Sequence, residues 1–175
     1  MIKLIDGNEK YLEQYKEAYL MSLKQIQEGK MKNHLLMFSN PDEVNIIQKM
    51  KDHRDITKLK PNHVLSYDYF IVDGDEFIGR VSIRTELTPA LLQYGGNIGY
   101  VIHPKHWKKG YGTLSLTLSL KKAKELGLKK ILITCDDDNL GSCKIIEKNH
   151  GILENKVKNK VGEETFLTRR YWIEL

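Results

Sequence analysis

Cysteine is scarce. Cys135 and Cys143 are the only two in a chain of 175 residues, too few for a disulfide framework, which points to a reducing compartment. Proline is scarce as well, and its four residues form no proline-rich linker. No apolar run approaches the ~18 to 20 residues that crossing a bilayer requires. The first residues, Met1 to Asp6, carry neither the basic nor the apolar region of a secretory signal. The expectation is a soluble, cytoplasmic protein with no membrane partner. A strong charge of one sign is also missing: 28 Lys and Arg against 23 Asp and Glu give +5, which suits an anionic partner but falls short of a tail that coats nucleic acid. There is no internal repeat and no low-complexity tract. What is present is a composition 41% hydrophobic, with nine Tyr, four Phe and two Trp, enough for one core and one domain spanning 1–175. Disorder as the main state is excluded.

Leu12, Tyr15, Tyr19, Leu23 and Ile26 recur at helical spacing, with Asp6 three residues ahead of Glu9 as a capping box, predicting a helix of about 17 residues. Asn40-Pro41-Asp42-Glu43 offers an N-cap, a proline at the first helical position and an acid at the third, and Val44, Ile47 and Met50 follow as an apolar stripe. Segment 1–66 thus reads as a strand and helices. Tyr67 to Val72 and Phe77 to Arg84 flank Asp73-Gly74-Asp75-Glu76, an antiparallel hairpin by turn chemistry, with Gly79, Val81 and Ile83 on one face. Thr85 to Gly95 has little periodicity and reads as a loop on the substrate side, before a strand at Asn97 to Ile102.

Thr113 to Leu120 alternates at period two, the pattern of a strand. Two preceding glycines, the helix formers Lys121 to Leu126 and a C-capping Gly127 favour a helix instead. Its leucines split into opposed faces, predicting a helix buried on both sides. Ile131 to Cys135 reads as a buried parallel strand. A helix with Leu140, Cys143 and Ile146 on one side follows, then a closing hairpin over Ile152 to Val157 and Thr165 to Ile173. The whole is an α/β chain: a mixed sheet with helices on both faces.

Chemistry concentrates in His103-Pro104-Lys105-His106-Trp107-Lys108-Lys109-Gly110-Tyr111-Gly112-Thr113, between a strand and a helix. Glycines there let backbone N–H groups approach an anion, the helix start adds its positive dipole end, and Lys108 and Lys109 add full charges. Together these would cradle a pyrophosphate; alternatively, the two glycines make only a tight turn.

Gly99-Tyr100-Val101-Ile102-His103-Pro104, then Lys109 to Thr113, Lys121 to Lys130, Cys135, Asn139, Ser142 and Ile146-Glu147-Lys148, resemble the GCN5-related N-acetyltransferases over residues 67–173. Gly95-Gly96 and Arg170-Tyr171-Trp172 extend the likeness to uncharacterised bacterial members. The resemblance implies a central, mostly antiparallel twisted sheet of about six to seven strands, with one parallel pair splayed at the cofactor site. It implies acetyl-CoA as acetyl donor, with pyrophosphate on Trp107 to Thr113, the pantetheine arm along Tyr100, Val101, Ile102 and His103, and contacts from Asn139 and Ser142. The family's loop opens with Gln or Arg where this chain has Trp107. The acceptor implied is a small-molecule or peptide amine, and homodimers are common in the family.

The family's reaction is direct attack by a neutral amine on the thioester, with the oxyanion held by backbone N–H near Tyr100. An ε-amine, near pKa ~10, needs a base, an α-amine near ~8 less so. Glu86, in the loop, and His103, at the strand end, are the candidates. The family's usual acid, a Tyr on the last helix, is replaced by Ile146, leaving Tyr100, Tyr111 and Cys135 as substitutes. No metal is expected, because His103 and His106 lack paired Cys-x-x-Cys geometry, and Asp136 to Asp138 serve a helix start. Two other functions compete. Gly110-Tyr111-Gly112 with Ser115 and Asp136 imitates a dinucleotide fingerprint, but the third glycine and a second βαβ half are missing. Lysines around the 121–130 segment suit nucleic acid, but no recognised binding motif accompanies them.

Overall fold

The computed structural model describes residues 1–175, with the side chain of Val161 left aside. Its strands are β1 (Ile2–Ile5), β2 (Ser66–Asp73), β3 (Glu76–Arg84), β4 (Ile98–Ile102), β5 (Lys130–Asp136), β6 (Ile152–Val161) and β7 (Glu164–Glu174). The helices are α1 (Leu12–Gln27), α2 (Ile46–Asp52), α3 (Tyr111–Glu125) and α4 (Leu140–Lys148). Among the described residues, no helix is long and apolar enough to cross a membrane.

The strands form two antiparallel sheets, ordered β1-β2-β3-β4 and β5-β7-β6. Residue alternation assigns opposite faces to two cores. Ile71, Val81, Ile83, Ile98, Ile131 and Ile133 pack with Leu116, Ala123, Cys143 and Ile146 of α3 and α4. Phe70, Val72 and Phe77 pack with Tyr11, Tyr15 and Ala18 around α1 and with Ile46 and Met50 of α2. Helices therefore cover both faces, as the sequence pattern predicts, and the hairpin turns at Gly74, whose φ is 60°.

Several expectations need correction. The capping box is not formed: Asn8 caps a 3-10 turn at Glu9–Tyr11 that leads into α1, while Asp6 pairs with Arg54 at 2.6 Å. Asn40 to Val44 closes as a separate turn, because the Asn40 carbonyl accepts from the N–H of Glu43 and Val44. The helix then starts about a turn later, with Asn45 as its cap. Thr85 to Gly95 contains a π-helical turn at Leu91–Gly95. The α3 helix is buried on one side only, through Leu116 and the small residues Ser115, Ser119 and Ala123, while Leu114 stays 49% exposed. Leu140 is also exposed rather than packed. The terminal hairpin is longer than its periodicity suggests.

The two sheets meet where β4 begins. Asn97, buried, donates its N–H to the Leu132 carbonyl at 2.7 Å, and its side-chain oxygen accepts from the Leu132 N–H at 2.8 Å. Gly96 sits beside this join with φ 64°, and a Cβ there would lie 2.6 Å from the Leu132 carbonyl oxygen. Only glycine allows that approach. Farther on, β4 and β5 share no ladder. Tyr100 still faces Cys135, so the strands run the same way while diverging, and a cleft opens between them.

Candidate active site

The cleft has a polar edge and a polar end. Asn97 and His103 both bond to β3, through the Asn97 carbonyl with Arg84 and the His103 N–H with Ile78. The unbroken register between these points makes Gly99 and Val101 bond to β3 as well. Alternation therefore turns the N–H and C=O of Ile98, Tyr100 and Ile102 toward the cleft. The Ile102 carbonyl is already taken by the Trp107 indole N–H at 2.8 Å. This is what Trp107 does in the place of the family's Gln or Arg.

Past Ile102 the chain makes a 3-10 turn at Pro104–His106, then enters α3 through positive φ at Lys108 (61°) and Gly110 (85°). Gly110 gives no side-chain cap. The N–H groups from Lys108 to Thr113 have no hydrogen-bond partner among the described residues, and Lys108 and Lys109 stand exposed beside them. The first N–H groups of a helix have no partner within it and stay open to water or a ligand, and a helix start adds partial positive charge. The unpaired donors together with the open β4 edge fit an extended chain ending in phosphates. The backbone suits the pyrophosphate and pantetheine of acetyl-CoA.

The sequence profile of the acetyltransferase (GNAT) domain matches residues 16–151. The chain belongs to the GNAT acetyltransferases. No curated protein matches it in sequence. Among solved structures, it resembles the microcin C7 self-immunity acetyltransferase MccE in complex with acetyl-CoA and AMP, at 20% identity and TM-score 0.71, over 99% of this chain and 92% of that one. It also resembles the ribosomal L7/L12 α-N-protein acetyltransferase RimL in complex with coenzyme A, at 17% identity and TM-score 0.73, over 99% and 94%. A GNAT acetyltransferase from Bacillus anthracis matches at 19% and 0.70, over 99% and 94%. This GNAT protein uses acetyl-CoA as its acetyl donor, and the oxidoreductase and nucleic-acid readings find no support.

The candidate side chains of this GNAT domain separate by face. Tyr100 points to the α3/α4 side, where its hydroxyl is buried without a hydrogen-bond partner among the described residues. Burial pushes that hydroxyl far up from its ordinary value, outweighing nearby Ser142, so it stays a proton donor. His103 points the other way, toward α1. Its Nδ1 accepts from the Lys105 N–H at 3.3 Å, and its Nε2 lies 3.6 Å from a Glu17 carboxylate oxygen. Burial, aided by Lys105, pushes His103 down to about 4, leaving the ring neutral at working pH. Val101 packs its side chain on the α1 core.

Glu86 is exposed, and no hydrogen bond or ion pair engages it among the described residues. The Tyr111 hydroxyl donates to Asp73 at 3.1 Å, so only its backbone faces the anion site. Asn139 caps α4: its side-chain oxygen accepts from the Ser142 N–H at 3.1 Å. Cys135 and Cys143 lie with Sγ atoms 3.5 Å apart, and burial holds the Cys135 thiol protonated. Sequence reasoning missed Asn97 as the pin of the cleft; an asparagine at a strand start carries no such signal. It also missed the bond made by Trp107, which departs from the family pattern and gives no hint of its partner.

Proposed function

We propose that the protein acetylates a primary amine, small-molecule or peptide, that reaches the cleft from the α1 side, opposite the hydroxyl of Tyr100. The observation that carries this reading is the row of idle N–H groups from Lys108 to Thr113, continuous with the open β4 edge. When bound, acetyl-CoA supplies an activated thioester carbonyl. The amides of Lys108 to Thr113, with Lys108 and Lys109, hold its pyrophosphate; the N–H of Ile102 and the carbonyl of Tyr100 hold the arm. That arrangement directs the acyl end toward the join at Asn97, so the N–H groups of Tyr100 and Ile98 serve as oxyanion donors. Tyr100 is the acid: burial keeps its hydroxyl protonated, and that proton passes to the departing sulfur. Glu86 is the base, working through water, because it is the unengaged carboxylate of the substrate-side loop. His103 supports the loop beneath the phosphates rather than taking the proton, because its ring faces Glu17.

MccE is a microcin C7 self-immunity acetyltransferase and RimL a ribosomal L7/L12 α-N-protein acetyltransferase, and both small-molecule and peptide amines belong in the screen. Thiol release from acetyl-CoA is followed across α-amino peptides, aminoacyl nucleotides, polyamines and aminoglycosides. The expected result is acceptor-dependent release that falls about 10- to 100-fold in Tyr100→Phe and Glu86→Gln. Release that these variants leave unchanged would remove both roles. Absence of acceptor-dependent release with all four classes would overturn the amine reading.

A further inference from the structure

The connection from α1 to α2 crosses the cleft on the α1 side. It is rooted at one end by the N–H groups of Lys30 and Met31 on the Gln25 carbonyl, and at the other by buried Phe38. Between these roots it makes contacts on both banks. On the β4 bank, the Met37 carbonyl accepts from Arg80 of β3, and the Met37 methyl packs over Gly99, only 2.8 Å from where a Cβ there would stand. On the β5 bank, His34 Nε2 lies 2.9 Å from Asp136 Oδ2, and Lys32 Nζ reaches the same oxygen at 3.1 Å and Asp138 at 2.9 Å. His34 Nδ1 lies 2.9 Å from Glu164 at the start of β7, and the ring stacks on Phe166 at 4.3 Å.

A neutral imidazole has one N–H and one lone pair. Both ring nitrogens of His34 face carboxylates, which when ionised only accept, so the imidazolium alone completes both bonds. We propose that His34 is a positioning residue whose doubly protonated ring straps segment 32–37 across the acceptor mouth, tying it to β5 and to the β6–β7 turn. The proposal rests on the acceptor entering from the α1 side. The groups facing His34 are Asp136 and Asp138 from β5 and its end, Glu164 from β7 and Lys32 from the strap itself. Three carboxylates therefore meet two cations when the ring is charged, and one cation when it is not. The outer bond yields first, because the Glu164 side chain is 43% exposed whereas that of Asp136 is 6% exposed. Loss of the second proton thus separates the strap from the β6–β7 turn while Lys32 keeps its hold on Asp136. Hydrogen bonds from His34 and Asn33 hold the Glu164 carboxyl below its ordinary range.

The test uses the full chain with neither acetyl-CoA nor an acceptor, so its failure is distinct from failure of the transfer reading. Nitrogen-15 labelling of histidine reads the protonation of the His34 ring, assigned by its loss in His34→Gln. Hydrogen exchange reads protection factors of amides 31–38 from about pH 5 to about pH 9. The expected result is a doubly protonated ring at the low end and strap protection that falls at least about tenfold as one proton leaves. His34→Gln, whose donor NH2 and acceptor oxygen sit at opposite ends and carry no charge, should be poorly protected at every pH. His34→Arg, a permanent cation with donors on two edges, should be protected and flat with pH. A ring that is neutral throughout, or equal strap protection in all three proteins, would overturn the proposal.

Discussion

Two helices begin at the mouth of the cleft, and their starts are built in opposite ways. At α4, Asn139 turns its side chain back onto the Ser142 N–H, the ordinary way to satisfy a helix end. At α3, Gly110 offers no cap, and the amides from Lys108 onward remain without partners among the described residues. An uncapped start forgoes about 1 kcal/mol, and positive φ at Lys108 and Gly110 removes further stability. One end is finished by the protein itself; the other is left open. That contrast, more than any single side chain, is what supports the proposed seat of the acetyl-CoA pyrophosphate.

Closing the open end should give the largest effect. Gly110→Asp places a carboxylate among the idle amides and should weaken acetyl-CoA at least about a thousandfold by calorimetry. Gly110→Asn, equally strained but neutral, should lose far less, and equal losses in the two would show that strain rather than charge decides.

Next in size is a pH effect beneath the α3 loop. An ordinary histidine titrates near ~6.5, and His103 sits at about 4 because burial disfavours its charge. A lowered value means that its neutral ring contributes stability fully above pH ~6.5, and this is lost as the pH falls toward 4. The loss is on the order of 3 kcal/mol. Chemical denaturation of wild type and His103→Gln across that interval should show a steeper decline in the wild type, and parallel curves would assign the acid sensitivity elsewhere.

Opening the closed end is a smaller change. Asn139→Ala should lower stability by about 1 kcal/mol while acetyl-CoA affinity stays within about threefold. A large loss of affinity would mean that Asn139 also meets the cofactor, as the family resemblance implies. Smallest of all, Trp107→Phe removes the bond to the Ile102 carbonyl and should lower stability by about 0.5 kcal/mol in thermal melts. No change at all would make that bond incidental.

Local chemistry wrote part of this into the sequence. Gly110 and Gly112 announced a tight entry to a helix, and Lys121 to Leu126 with Gly127 overruled the misleading alternation of Thr113 to Leu120. Where one local signal competed with another, reading failed: Asn40-Pro41-Asp42-Glu43 has every mark of a helix start, yet it closes its own turn and leaves the capping to Asn45. The facing of β4 was invisible for a different reason. Tyr100 in β4 and His103 just past its end lie three apart and point to opposite sides, but only the register with β3 says which side each takes. Asn97 and His34 act through partners such as Leu132, Asp136 and Glu164, far away along the chain. No window of sequence contains both halves of such a contact.

The central claim is that the unpaired amides at the start of α3 receive the pyrophosphate of acetyl-CoA. Titration calorimetry with acetyl-CoA and with S-acetylpantetheine, which lacks the phosphates, tests it most directly. The account expects one acetyl-CoA per chain at micromolar affinity, and at least about 100-fold weaker binding of acetylpantetheine. Equal affinity for the two, or no heat with acetyl-CoA, would contradict it.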